Sequence, residues 1–341
     1  VVLGVVLLFL HLFVGEIALR TKDSHRLIGY GDIYLGLKGK LILTFTTAFG
    51  VIGALLAYIV IGGTFLAALV APFNGLTETN GSFIFWAILS VFIVRGIRTI
   101  SKTELVMNVA LFGAVALILY IALPSFEMSR IAWNGSANLL LPFGVMMFAF
   151  VGWSAIPEIA ELFKGRQDKK RMDNVIVWAV VVSALLYVAF AFAVAGVTGS
   201  ATSEDALIGL ADFFGEKMVA LGAFFGLVTV AASYLVLGNY LKNSLRYDFK
   251  LSYVVSASIA IFTPVVFFLL GVREFVLVLG LVGIVLGAIE GVLIVLLYKK
   301  AKIAGERVPE YNLRIPRVLP YIIAVILLGG AAAELYFQYA G

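Results

Sequence analysis

The stretch from Leu139 to Phe163 reads LLLPFGVMMFAFVGWSAIPEIAELF. It is apolar enough to cross a bilayer, which takes about 20 mostly apolar residues. Yet Gly152, Ser154 and Pro157 cluster at its mid-depth, with Glu158 and Glu161 just beyond. Proline removes a backbone donor and clashes with the preceding turn, and glycine relaxes the chain, so an interruption is expected around Val151 to Ile156. Unwound backbone at this depth persists only where protein or a water-filled cavity satisfies it, and such breaks form midplane binding sites. A proline kink in an otherwise ordinary helix is the competing reading. In the interrupted form the outer half-helix ends near Phe148 to Phe150, where terminal carbonyls can accept hydrogen bonds from an ammonium group. The inner half begins near Pro157, a residue tolerated in a first turn. Glu158 and Glu161 then lie near its positive end, or pair with Lys164 or Arg166.

The rest of the chain agrees with a membrane setting. Of 341 residues, 62% are hydrophobic and only 13% charged, and mean hydropathy is +1.07. Soluble domains carry about 25% charged residues, which excludes an aqueous globule, a disordered chain and a nucleic-acid binder. The sequence holds no cysteine and two histidines, so neither a disulfide nor a Cys or His metal site is expected. Ten apolar stretches are expected to span: 1–19, 41–70, 82–100, 105–123, 139–163, 175–197, 218–241, 252–271, 275–298 and 318–339. Without barrel alternation, lipid leaves helices as the only spanning form, giving an all-α membrane protein.

Charge sorts the connections. Those at 20–40, 95–104, 164–173, 242–250 and 299–317 hold 22 of the 25 Lys and Arg residues; the alternate connections hold only Arg130, Lys217 and Arg273. The alternation follows the positive-inside rule and places the basic loops in the cytoplasm of a multi-pass protein of the cell membrane. The acidic stretch Glu204, Asp205, Asp212 and Glu216 faces the other side. Val1 then starts outside, within an apolar span and without an initiator Met, so a preceding segment is expected.

Three stretches carry a resemblance: PFGVMMFAFVGWSAIPEIAELFKG from Pro142, VAGVTGSATSEDALIGL from Val194 and GEIALRTKDSHRLIGYGDIYLG from Gly15. They resemble amino acid permeases of the aromatic amino acid and amino acid/auxin type, within the amino acid-polyamine-organocation superfamily. The resemblance implies a leucine-transporter-like core of two inverted five-helix repeats, each opening with a broken helix, plus an eleventh helix. Ten of eleven helices are then present, the first being absent. One transmembrane domain, 1–341, would comprise the rest of the first repeat (1–123), the second repeat (139–298) and the extra helix (318–339).

The resemblance also implies site residues. Phe148, Ala149, Phe150, Val151, Gly152, Trp153 and Ser154 would face the substrate's amino group and side chain, and Tyr58, midway along the second span, would border the same pocket or bond between helices. Thr229 and Ser233, four residues apart on one helix face, match hydroxyls of a sodium site, but Ala232 stands where a further hydroxyl belongs. That puts Na+ in doubt and favours H+, and the hydroxyls can equally bond their own helix carbonyls. Glu16 would brace the broken helices or pair with Arg20, with Glu158 in a similar bracing or gating role. Glu290 is an intramembrane carboxylate, a functional candidate by its cost of burial; His11 can titrate, but a lone histidine in a span is more often packed and hydrogen bonded. Gly280, Gly283, Gly287 and Gly291 line the ninth span and permit close helix approach.

The implied activity is secondary active transport of neutral or aromatic amino acids, coupled to H+ or Na+, with no covalent step and no cofactor. The partners are the amino acid, the coupling cation and the lipid bilayer. A non-transporting amino acid sensor with the same fold is the alternative.

Overall fold

The structure is a computed structural model. It describes the chain except residues 1, 24, 96–99, 132–141, 164, 204–205, 207, 248 and 340–341, and except the side chains of 72–74, 100–108, 110, 158, 208, 211–212, 216–218, 247 and 337–339. Leu139 to Leu141, Lys164, Arg98, Glu204 and Asp205 therefore lie outside the described residues, as do the side chains of Glu158, Asp212, Glu216 and Lys217.

Helices account for the fold, with no strand among the described residues. In chain order they are α1 (Val2–Arg20), α2 (Leu27–Asn74), α3 (Glu78–Arg95), α4 (Ile100–Ala122), α5 (Phe143–Ala149), α6 (Ile156–Leu162), the short α7 (Arg166–Lys169), α8 (Met172–Thr198), the short α9 (Ala211–Phe214), α10 (Glu216–Tyr247), α11 (Tyr253–Leu269), α12 (Phe275–Gly283), a π-helical segment (Ile284–Glu290), α13 (Gly291–Ala304) and α14 (Leu319–Tyr339). Seven of the described stretches are long and apolar enough to cross a membrane; Leu111–Ser125 and Tyr253–Leu269 are shorter apolar helices. The sequence led us to expect ten. The remaining stretches carry α3, which ends in the charged Glu78 and Arg95, the described part of α4, and α11, whose 17 residues span only about 25 Å at 1.5 Å per residue.

Helix extends further than the apolar runs. α2 starts at Leu27, inside the expected 20–40 connection, because Leu27, Tyr30 and Tyr34 are buried while Asp32 and Ile33 are exposed, an amphipathic helical period. Gly36, at φ 69° and ψ −163°, then breaks the helical path, a conformation glycine adopts without a Cβ penalty. α10 likewise runs on to Tyr247, so Lys242 is helical and buried rather than in a loop.

The chain packs as two compact units. The first comprises Val1–Gly50, Gly135–Leu186 and Leu279–Gly341. Its core is α1, packed on α13, α5 and α6, with Phe13 stacked on Tyr298 at 4.1 Å between centroids. α5 lies against the end of α12 and the π-helical segment at a glycine seam: a Cβ on Gly283 would collide with the Gly144 backbone, and one on Gly287 with Met147. The second unit, Val51–Asn134 and Tyr187–Val278, is built on α10, which packs on α3, α4 and α11. There Lys242 Nζ donates to the Ile93 carbonyl near the end of α3 and to Asn239 Oδ1, both at 2.7 Å, a cation at a helix C-terminus. The Trp86 indole donates to the Ile261 carbonyl at 3.0 Å, in the part of α11 that Pro264 disturbs.

Candidate solute site at an interrupted helix

α5 ends by tightening. The Phe150 N–H reaches the Met147 carbonyl and Val151 N–H the Phe148 carbonyl, each at 3.2 Å, three-residue steps that close a helix end. Phe150 and Gly152 leave helical backbone, at φ −105°, ψ 3° and φ −128°, ψ 0°. A 3-10 turn over Trp153–Ala155 follows, closed by Ala155 N–H to the Gly152 carbonyl at 3.1 Å. α6 then restarts at Ile156 with Pro157 in its first turn, where its missing N–H costs nothing. The fifth stretch is thus two half-helices, not one kinked helix.

Gly152 lies close to α1. Its φ suits any residue, but an added Cβ would lie 3.2 Å from His11 Nε2. The His11 ring is 5.7 Å from that of Trp153, and its Nδ1 is 2.8 Å from the Leu7 carbonyl, so Nδ1–H donates there and Nε2 lies toward Gly152.

The two faces of the break differ. Ala149 and Ser154 are exposed, Phe148, Phe150, Val151 and Gly152 half-buried, and Trp153 buried. Trp153 turns into the core, where its indole N–H donates to Glu290 Oε2 at 3.0 Å. The other carboxylate oxygen, Oε1, accepts from the Thr47 hydroxyl at 2.6 Å and the Thr46 hydroxyl at 3.1 Å. Glu290 is 2% exposed and closes the π-helical segment, a helix variant concentrated at functional sites. A second carboxylate, Glu334 on α14, accepts from Gly144 N–H at 2.5 Å and caps the start of α5. Sequence reading missed the convergence of Glu290, Thr46, Thr47 and Trp153, and Glu334 altogether. The available signal was an intramembrane carboxylate with no basic residue in its own span.

Glu16 binds elsewhere. Fully buried, it accepts from Arg20 Nε at 2.8 Å, Lys302 Nζ at 2.9 Å and the Leu313 N–H at 2.8 Å, tying α1 to α13 and to the connection after it. Tyr311 of that connection donates to the Leu12 carbonyl at 2.8 Å; burial, with the Glu16 charge adding, pushes its hydroxyl well above the usual phenol range. Glu161 pairs with Arg26 at 2.6 Å, a residue from the α1–α2 connection and not one of the neighbouring cations.

In the second unit the structure brings Tyr58 and Ser233 together in a hydrogen bond. Thr229 donates to the Phe225 carbonyl of its own helix at 2.9 Å.

A family model described as transmembrane amino acid transporter protein matches residues 3–338. The chain belongs to that family. No curated protein matches it. For a transmembrane amino acid transporter the exposed apolar side chains of α8, such as Trp178 at 66% and Leu185 at 65%, are surface suited to lipid rather than to water. The family is one of carriers, not enzymes, and the helical, multi-pass architecture fits it. The interruption between α5 and α6 lies inside an apolar segment of the chain.

Proposed function

We propose that the protein carries neutral or aromatic amino acids across the cell membrane by alternating access, driven by an inward cation gradient. The observation that carries this reading is the interrupted helix: α5 ends at Ala149 and α6 starts at Ile156, with exposed Ser154 beside half-helix ends whose dipoles suit a zwitterion. Neutral side chains are favoured because Phe148 to Ala155 contain no charged residue. The leucine-transporter-like plan is supported by helix among the described residues of every expected apolar stretch. H+ is favoured over Na+ because Ala232 supplies no oxygen and the Thr229 hydroxyl is engaged by its own helix.

The test is uptake of labelled neutral, aromatic, cationic and anionic amino acids into proteoliposomes, with the pH and Na+ gradients imposed separately. The reading expects neutral or aromatic substrates to accumulate under a pH gradient. Saturable binding without flux would instead make the protein a sensor.

A further inference from the structure

The core of the first unit holds a carboxylate that the substrate reading does not use. We propose that Glu290 is the proton-carrying group of the transport cycle, and that its bond to Trp153 conveys its charge to the interrupted helix. This deepens the proposed function and rests on it.

A carboxyl group in the membrane core is costly to keep and marks ion pathways by default. Glu290 is buried, and every partner it has is a neutral donor: the two threonine hydroxyls and the Trp153 indole. No ion pair reaches it among the described residues. The polar and titratable groups on the elements around it are few. α1 supplies His11 beside Trp153, α2 supplies Thr46 and Thr47, and α14 supplies Glu334, which is engaged by Gly144 N–H. α5 and α12 carry no titratable residue, and α13 carries Tyr298, which stacks on Phe13, and Lys299, Lys300 and Lys302 beyond it.

The site accommodates both protonation states. Ionised, the carboxylate accepts all three donors, and such charge-assisted bonds are about twice as strong as neutral ones. When a proton binds, the new O–H needs an acceptor. Thr46 can become it, because its hydroxyl already lies 3.3 Å from the Leu43 carbonyl and can turn its own proton there. The Oε2 bond to Trp153 then falls from charge-assisted to neutral, which loosens the residue that anchors the break to the core. One proton taken up on one side and released on the other balances the cycle, Glu290 alternating between carboxylate and carboxylic acid.

The test uses the transporter in proteoliposomes with a labelled neutral amino acid. Glu290→Gln keeps size and hydrogen bonding but cannot titrate. It is expected to lose accumulation driven by a pH gradient by about tenfold or more, while exchange at equal pH persists and no longer varies between about pH 5 and 8. Thr47→Val removes one donor to the ionised form, so the pH of half-maximal uptake is expected to rise by about one unit. This second variant decides the matter if Glu290→Gln does not fold. Glu290→Gln accumulating like the parent under a pH gradient, an unmoved pH profile in Thr47→Val, or a parent driven by Na+ alone would overturn the assignment and leave transport standing. A parent that neither exchanges nor accumulates any amino acid would overturn the transport reading and the assignment with it.

Discussion

Replacing Glu16 by Gln should release the Leu313 amide without releasing the whole connection between α13 and α14. The carboxylate is fully buried and accepts from Arg20, Lys302 and Leu313 N–H at 2.8 to 2.9 Å. Glutamine keeps one acceptor oxygen, which the two cations at the Oε1 position hold, and turns its NH2 toward the Leu313 N–H, a donor facing a donor. Breaking a fully buried pair costs about 3–5 kcal/mol, but the Lys302 and Arg20 side chains are 27% and 13% exposed and can rehydrate, which lowers that figure. The amide itself loses one bond to a charged group, about 1.5–3 kcal/mol. At about 1.4 kcal/mol per factor of ten, its hydrogen exchange should accelerate roughly tenfold to a hundredfold. The neighbouring Tyr311 anchor should persist: its hydroxyl stays protonated at physiological pH and still donates to the Leu12 carbonyl. Hydrogen-exchange mass spectrometry on peptides covering 305–318 reads the effect, with a peptide from α10 as reference. Unchanged exchange at Leu313, or equal acceleration along the whole segment, would refute this account of Glu16.

Valine at Gly283 should abolish folding or cut the yield severely, since its Cβ would overlap the Gly144 backbone, whereas alanine at Gly329, with nothing within 4 Å, should be neutral; fluorescence-detected size exclusion compares them. Lys242→Met should lower thermal stability by the equivalent of about 1–3 kcal/mol, because it strips a buried donor from the Ile93 carbonyl and Asn239; an unchanged melting temperature would contradict it. Trp153→Phe keeps the ring but removes the donor to Glu290. It should cost stability by a similar amount, about 1.5–3 kcal/mol, and the cost should fall to that of a neutral bond, about 0.5–1.5 kcal/mol, when Glu290 is also replaced by Gln, a double-mutant cycle read by thermal melts.

The place of the break was legible because Gly152, Ser154 and Pro157 are local signals. Its packing was only partly so: Gly152 lies close against His11, 141 positions earlier in the chain, and no local pattern announces that approach. The same holds for Glu290, whose partners lie 244, 243 and 137 residues away; sequence shows an isolated carboxylate, and only tertiary packing supplies the donors. The glycines of α12 read correctly as a seam for close approach, yet the π-helical turn they border has no compositional mark. The amphipathic start of α2 was hidden for a different reason. Its Asp32, Lys38 and Lys40 make the segment look like a charged connection, and the buried positions Leu27, Tyr30 and Tyr34 become visible only once a core exists to receive them.

The central claim is that a solute binds at the interruption between α5 and α6. The chain has no cysteine, so Ser154→Cys places a single thiol at the exposed face of the break, and Val188→Cys, on the exposed surface of α8, serves as control. The account predicts that a transported amino acid slows labelling at position 154 in a saturable manner and leaves position 188 unaffected. Labelling at 154 that no amino acid alters, in protein that still transports, would contradict it.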